Sequence, residues 1–171
     1  LALGRLVPIK GLPQAIAACA RANVTLLIVG DGPEGPRLRE LAAQSGADVR
    51  FLGTRVGSDK NRLLRAADVL VQTSLELPSG RTEGLPTVVL EALAHGLPVV
   101  ASKTGGVPEL LRHGQDALLL APGDVGALSA ALLSLRHDPG LGRRLSEAGV
   151  ALAERYLWPT LAPQIERCLQ G

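Results

Sequence analysis

At 171 residues the chain is long enough for one ordinary domain with a substantial core. Its net charge of +2, its dispersed basic residues and its aromatic content of 2% are not those of a nucleic-acid-binding surface. Cys19 and Cys168 stand alone without metal-ligand spacing, and neither a membrane-length apolar run nor a signal peptide is visible, so we expect a cytoplasmic protein with reduced thiols.

Short apolar runs typical of strands alternate with helical patterns along the whole sequence. The predicted strands are residues 1–3, 25–29, 49–52, 69–72, 99–101 and 117–120. The predicted helices lie near residues 12–22, 36–45, 59–67, 86–95, 107–113, 125–136, 141–155 and 160–169. This alternation predicts an α/β domain with a doubly wound parallel sheet, Rossmann-like, that binds ligands beyond the carboxyl ends of its strands.

The first residues read as the inside of a strand, and the sequence contains no Met. We therefore expect the natural protein to begin upstream of Leu1.

The first strand end carries two cations around a turn, in the segment Gly4-Arg5-Leu6-Val7-Pro8-Ile9-Lys10-Gly11. Gly4 permits a close approach to the backbone, and Gly11 opens the following helix. Arg5 and Lys10 thus flank a strand end and a helix N-terminus, which is a favourable place for an anion. Taken alone, the two residues are better interpreted as solvated surface cations, and only the family resemblance described below favours the anion site.

The segment from Gly30 to Gly35 fits the pattern G-x-G-x-x-G after a strand, so nicotinamide or flavin binding has to be considered. That function requires an acidic residue about 20 positions later, at the end of the next strand. The strand Val49–Leu52 runs instead into Gly53, and Asp48 lies at its wrong end. The pattern is therefore not expected to bind a dinucleotide.

The segment Arg81–Glu91 contains two carboxylates with seven residues between them, Glu83 in a Gly-bearing turn and Glu91 in a helix. Pro86 suits the first position of that helix, and Gly96 suits its stop. The helix is otherwise apolar, and its polar residues Thr87, Glu91 and His95 are spaced four apart on one stripe, which faces either a cleft or water. We expect His95 to be satisfied by the helix C-terminus and not to be catalytic.

Further along the chain lies the loop Lys103–Glu109, in which paired glycines precede a Pro at a helix start. Such a loop suits a phosphate. Glu109 falls in the first helical turn, where the helix dipole explains it, and Asp68 similarly reads as a turn or capping residue.

Together these segments resemble the family-4 glycosyltransferases of the GT-B fold. The likeness rests on the G-R-L-x-x-x-K-G start, the A-D-V-x-x-x-x-S passage near Asp68, the E-x7-E pair and the G-G-x-P-E turn, in the family's order. The closing stretch from Tyr156 to Leu169 resembles the last helix of these enzymes, which packs on their other domain. The resemblance covers nearly the whole chain, and it identifies residues 1–171 as the donor-binding, C-terminal half of such an enzyme.

The resemblance implies roles for individual residues. Arg5 and Lys10 grip the donor diphosphate, Glu83 contacts the donor sugar, and these three are the candidate catalytic residues. Glu91 holds the ribose. The remaining residues that line the implied donor site are Gly4, Gly30, Gly32, Thr54, Arg55, Gly84, Leu85 and Pro86. Gly30 and Gly32 could equally have a purely conformational role.

The resemblance also implies a reaction, the transfer of a hexosyl group from a UDP-, GDP- or ADP-sugar to an acceptor hydroxyl with retention of configuration. No Asp-x-Asp motif and no His/Cys ligand spacing occurs, so we expect neither a metal nor a cofactor. The acceptor, and any peripheral membrane contact, would belong to an N-terminal domain absent from this chain, so the chain alone is expected to be inactive. A non-catalytic nucleotide-binding module and a GT-B-like nucleotide-sugar epimerase are the alternatives.

Overall fold

The structure is a computed structural model that describes residues 1–170, apart from a few side chains in the last helix. Within these residues six short strands are β1 (Ala2–Leu3), β2 (Leu26–Val29), β3 (Val49–Phe51), β4 (Leu70–Gln72), β5 (Val99–Ser102) and β6 (Leu118–Leu120). The helices are α1 (Leu12–Ala22), α2 (Gly35–Ser45), α3 (Gly57–Ala66), α4 (Thr87–Ala94), α5 (Val107–Leu110), α6 (Val125–His137), α7 (Pro139–Glu154) and α8 (Trp158–Gln170).

The strands form two parallel three-stranded sheets, ordered β1-β2-β3 and β4-β5-β6. The two sheets meet at β1 and β4. Leu1 donates its N–H to the Val69 carbonyl at 2.8 Å and accepts from the Val71 N–H at 2.8 Å, the pattern of neighbouring parallel strands. The combined order is therefore 3-2-1-4-5-6, that of the Rossmann fold, and the predicted fold class is confirmed.

Apolar residues cover the sheet on both faces. One face packs against α1, α2 and α6, and the other against α3, α4 and α7. Buried examples from these six helices are Ile16, Leu38, Leu132, Leu64, Val89 and Ala153. Because both faces are covered, the strands read as continuous apolar runs in the sequence.

Most predicted elements are confirmed to within two residues, and the exceptions have local causes. The predicted helix 107–113 ends at Leu110, because Leu111 is extended and the Arg112 N–H donates to the Asp116 carboxylate at 2.7 Å. A 3-10 turn at Pro8–Lys10 was not predicted. Pro86 precedes the helix as its N-cap residue, with ψ at 111°, so the expectation that it is the first helical residue was wrong.

The predicted stop of α4 at Gly96 is confirmed. Gly96 has a φ of 68°. Its N–H donates to the Leu93 carbonyl at 2.9 Å, and the Leu97 N–H donates to the Ala92 carbonyl at 3.0 Å.

None of the helices within residues 1–170 combines the length and apolar character needed to cross a membrane.

Candidate functional site

The candidate site lies where the strand order reverses, at the carboxyl ends of β1 and β4. Gly4 and Arg5 follow β1, and Thr73 and Ser74 follow β4. In open parallel sheets this reversal leaves a crevice in which ligands bind. The predicted cation segment and the predicted Glu83 turn both reach this edge.

Lys10 is held at the crevice by contacts between its turn and the end of β4. The Thr73 hydroxyl donates to the Lys10 carbonyl at 2.8 Å, and the Leu75 N–H donates to the Ile9 carbonyl at 2.8 Å. Gly11 has a φ of 58°, and a Cβ there would lie 2.0 Å from the Thr73 oxygen. Only glycine fits this close approach of two backbones, so Gly11 fixes the position of Lys10.

Glu83 is the centre of a largely buried polar cluster with Lys10, Gln72 and Ser74. One carboxylate oxygen, Oε1, lies 2.5 Å from Lys10 Nζ, and both side chains are only 16% exposed. The other oxygen, Oε2, accepts from the Gln72 amide at 2.6 Å and from the Ser74 hydroxyl. The Lys10 tip also lies over Gly4, where a Cβ would come within 3.3 Å of Nζ. A cation and an anchored carboxylate therefore face one another at the crevice.

The backbone of the Glu83 turn is supported by the glycine pair that the sequence assigned to a phosphate-facing loop. Gly105 has a φ of 54°, and a Cβ there would lie 1.9 Å from the Glu83 carbonyl oxygen. The Gly106 N–H donates to the Gly84 carbonyl at 3.2 Å. Gly105 and Gly106 thus pack against the backbone of the Glu83 turn and help to fix the position of Glu83.

Gly30 and Gly32 occupy the crossing of two loops. A Cβ on Gly30, which has a φ of 135°, would lie 1.9 Å from the Gly4 oxygen, and one on Gly32 would lie 2.4 Å from the Leu6 oxygen. The Leu6 N–H also donates to Asp31 at 2.9 Å. Both glycines therefore have a conformational role, which was one of the two alternatives that the sequence allowed. They permit close packing against the loop that carries Arg5.

Asp48, the carboxylate next to β3, precedes that strand and lies at the opposite edge of the sheet. The Thr25 hydroxyl donates to it at 2.7 Å, and this bond, with a contribution from Arg50, holds the pKa of Asp48 below its usual range. No acidic residue stands at the carboxyl end of β3, where Leu52 and Gly53 follow the strand. The geometry agrees with the argument against dinucleotide binding.

Arg5 is exposed, and within residues 1–170 the structure gives its guanidinium no hydrogen bond or ion pair. It therefore differs from Lys10, whose charge is already matched by Glu83. A cation without a protein partner, at a strand end beside glycine, is available to an anionic ligand.

The helix α4, which begins at the crevice, also has backbone donors that no side chain caps. No side chain caps the first turn of α4, whereas Asp124 and Asp138 cap α6 and α7. The start of α1 offers less, because Pro13 has no N–H and the Gln14 N–H donates to the Gly11 carbonyl at 3.1 Å. The first N–H groups of a helix lack partners within the helix and carry its partial positive charge. Uncapped helix N-termini are suited to phosphate groups.

Glu91 lies on α4 opposite a residue that the sequence did not single out. Its Oε2 atom is 2.6 Å from the Nζ atom of Lys60 on α3, with side-chain exposures of 35% for Glu91 and 26% for Lys60. No local spacing links the two residues, because α3 and α4 are brought together only by the fold. Gln72 and Ser74 were also not singled out by the sequence, because they contact Glu83 only after the chain has folded back over the end of β4.

His95 forms a hydrogen bond from its Nδ1 atom to the Glu91 carbonyl at 2.8 Å. Both groups belong to the last turn of α4, so His95 is satisfied locally, as expected.

The loop after β3 forms the exposed rim on the Arg5 side. Thr54 and Arg55 are exposed, and the Arg55 guanidinium donates to the Thr54 carbonyl at 3.4 Å. The Gly53 carbonyl accepts from the Gly30 N–H at 2.9 Å, so the rim is tied to the glycine turn. Leu85, 39% exposed, and the buried Pro86 follow Gly84 at the start of α4.

The arrangement has the features of an anion site with an anchored carboxylate at its side. Cations, glycine backbones and the start of α4 converge at the switch point, and Glu83 can accept hydrogen bonds from hydroxyl groups there. Over the described residues 1–170, no three His, Cys, Asp or Glu side chains are grouped so that they could hold a metal ion.

Comparison with known sequences gives one family. Residues 1–138 match the family described as glycosyl transferases group 1. The chain is 37% identical over 176 residues to a GDP-mannose-dependent monoacylated alpha-(1-6)-phosphatidylinositol monomannoside mannosyltransferase of Corynebacterium glutamicum, an alignment that covers 98% of this chain and 45% of that protein.

Solved structures give the same fold. The chain is similar to the HepE protein of Anabaena in complex with UDP and glucose, with a TM-score of 0.84, 31% identity, and coverage of 99% of this chain and 47% of that one. It also matches the C-terminal domain of a glycosyl transferase group 1 family protein, LpcC of Francisella tularensis, with a TM-score of 0.77. That likeness, at 23% identity over 90% of this chain and 83% of that one, shows the fold alone. The chain spans less than half the length of the mannosyltransferase and of HepE.

Proposed function

The chain belongs to the glycosyl transferases group 1, with the GT-B fold, and from this premise we propose that it binds the nucleotide-diphosphate sugar used by such an enzyme. The observation that carries the proposal is the cluster at the switch point. Lys10 and Arg5 supply positive charge, and Glu83 stands beside them at 2.5 Å from Lys10. The two cations suit a diphosphate, and the Glu83 carboxylate suits a sugar hydroxyl.

In this proposal the diphosphate lies between Arg5, Lys10 and the uncapped start of α4. Lys10 can turn from the Glu83 carboxylate to a phosphate oxygen and keep its charge matched, which limits the cost of burying it. Arg5 can bind a second phosphate oxygen with its planar guanidinium.

Glu91 is proposed to hold the ribose. Its carboxylate is partly exposed and only Oε2 is paired with Lys60, so the other oxygen can still accept from ribose hydroxyls. The loop with Thr54 and Arg55 would then lie beside the nucleobase. Two relatives support a nucleotide ligand, since one is named for its use of GDP-mannose and another was solved with UDP and glucose.

The proposed reaction is the transfer of a hexosyl group to an acceptor hydroxyl, with retention and without a metal. The bond from the sugar to the diphosphate breaks, and the negative charge that develops on the leaving phosphate is stabilised by Lys10, Arg5 and the start of α4. Such preorganised charge is often the largest contribution to catalysis. Glu83 orients the sugar. The acceptor hydroxyl attacks the anomeric carbon on the face that the diphosphate leaves, a new carbon–oxygen bond replaces the broken one, and the hydroxyl proton passes to the departing phosphate oxygen.

We further propose that residues 1–171 form the donor domain alone and that an N-terminal domain of the same protein binds the acceptor. The longer relatives support this division, because the chain matches less than half of each. Holding both reactants in position is worth about 7–11 kcal/mol of barrier, so the chain alone should bind donor without transferring it.

The test is a thermal-shift screen of the chain with UDP-, GDP- and ADP-sugars. A ligand at about 100 times its dissociation constant adds roughly 2.7 kcal/mol, which is readily seen as a rise in Tm. The proposal predicts a rise for at least one donor and none for NAD. If every sugar nucleotide leaves the Tm unchanged, the donor site is refuted.

A transfer assay with the same donor separates the enzyme from its alternatives. A longer protein that contains this chain should move radiolabelled sugar to an acceptor, while the chain alone should not. Donor binding without transfer by the longer protein would indicate a non-catalytic module. Conversion of the sugar nucleotide to its epimer would indicate an epimerase.

A further inference from the structure

Gln72 is a buried polar residue at the end of an otherwise apolar strand, β4. The β4 strand is buried along its length, and its other residues, Leu70 and Val71, are apolar. Gln72 is 4% exposed, and Ser74 beyond it is 1% exposed. A buried polar side chain on a central parallel strand is costly unless it is hydrogen-bonded.

The bonds of both side chains lead to Glu83. The Gln72 amide donates to Glu83 Oε2 at 2.6 Å and lies 2.7 Å from the Ser74 hydroxyl. That hydroxyl donates to the same oxygen. Residues two apart along an extended chain project to the same side, so Gln72 and Ser74 act on Glu83 from one direction.

The two oxygens of Glu83 are therefore occupied in different ways. Oε2 is fixed by Gln72 and Ser74, which are buried and attached to the sheet. Oε1 faces Lys10, a flexible side chain at the crevice. When Lys10 turns to another anion, Oε1 becomes available while Oε2 stays fixed.

We propose that Gln72, assisted by Ser74, is a positioning residue that keeps Glu83 Oε1 directed at the sugar of the donor. The inference rests on the proposed function, and it adds a residue that acts through Glu83 without touching the ligand. It predicts that Gln72 matters for the sugar and not for the nucleoside diphosphate.

The experiment compares affinities by calorimetry for three pairs of ligands: UDP with UDP-glucose, GDP with GDP-mannose, and ADP with ADP-glucose. The variant Gln72→Leu keeps the volume and removes both donated bonds. For the pair that wild type binds, we expect the sugar nucleotide to bind about tenfold more weakly, the size of one bond to a charged group, and the diphosphate to bind within twofold of wild type.

Two further variants make the result specific. Ser74→Ala should give a smaller loss in the same direction, and it serves as the second probe if Gln72→Leu does not fold. Gln44→Leu, in which an exposed amide that donates to Glu40 at 3.1 Å is removed, is the matched control and should change neither affinity. In the background of Glu83→Gln, Gln72→Leu should have little further effect, because the two residues act together.

The outcomes distinguish the inference from the proposed function. Equal weakening of diphosphate and sugar nucleotide by Gln72→Leu, or no weakening of either, overturns the inference while donor binding by wild type still stands. Additive effects of Gln72→Leu and Glu83→Gln also overturn it. If wild type binds none of the six ligands, the proposed function fails and the inference fails with it.

Discussion

The substitution Glu91→Gln separates a nucleotide-binding role of Glu91 from a structural one. It keeps the shape of the side chain and removes the charge that lies 2.6 Å from Lys60 Nζ. In the proposed complex the carboxylate accepts hydrogen bonds from ribose hydroxyls. The glutamine amide of the variant has one acceptor oxygen instead of two, and that oxygen carries no negative charge.

The expected magnitudes differ for folding and for binding. The Lys60 pair is partly exposed, and exposed pairs contribute about 0.2–1 kcal/mol. For a chain of this size that corresponds to a fall in Tm of at most about 4 °C. Hydrogen bonds to a charged group contribute about 1.5–3 kcal/mol, so nucleotide affinity should fall by roughly 10- to 150-fold.

Calorimetry with a nucleoside diphosphate and thermal unfolding of the same samples measure both quantities. Glu147→Gln is the matched control, since Glu147 is an exposed carboxylate on α7. Lys60→Met removes only the ion-pair partner and should leave most of the affinity. Unchanged affinity with a large fall in Tm in Glu91→Gln would refute the reasoning and make Glu91 structural.

Three further predictions concern metal, packing and thiols. Nucleotide-sugar affinity should be equal with and without EDTA, and a strict Mg²⁺ requirement would contradict charge stabilisation by Arg5 and Lys10. Gly30→Ala should cost several kcal/mol by chemical denaturation, because its Cβ would lie 1.9 Å from the Gly4 oxygen, and a loss below about 0.5 kcal/mol would contradict the loop crossing. Burial raises the pKa of Cys19 to about 11, so a thiol reagent at pH 8 should modify exposed Cys168 quickly and Cys19 only on unfolding. Rapid loss of two thiols from folded protein would be the contrary result.

Local patterns predicted the fold well. The strands read as short apolar runs because both sheet faces are covered, and residues such as Gly96 end helices through backbone geometry that the sequence shows directly. The error at residues 107–113 arose from a side-chain bond, Asp116 to the Arg112 N–H, that stops the helix early. A hydrogen bond of this kind does not change the helical spacing of apolar residues, so the sequence pattern does not reveal it.

The candidate site was predictable only where its residues carry a pattern of their own. Lys10 and Glu83 were singled out separately, but nothing in the sequence shows that they lie 2.5 Å apart. Lys60 and Gln72 were missed, since each has meaning only through a partner on another element. Gly30 was singled out, and its role in loop packing became visible only once Gly4 was placed against it.

A crystal structure of the chain with a bound sugar nucleotide tests the central claim most directly. The account predicts the diphosphate within hydrogen-bonding distance of Lys10 and Arg5, the ribose at Glu91, and a sugar hydroxyl on Glu83 Oε1. A nucleotide bound away from the carboxyl ends of β1 and β4, or a diphosphate that contacts neither cation, would contradict it.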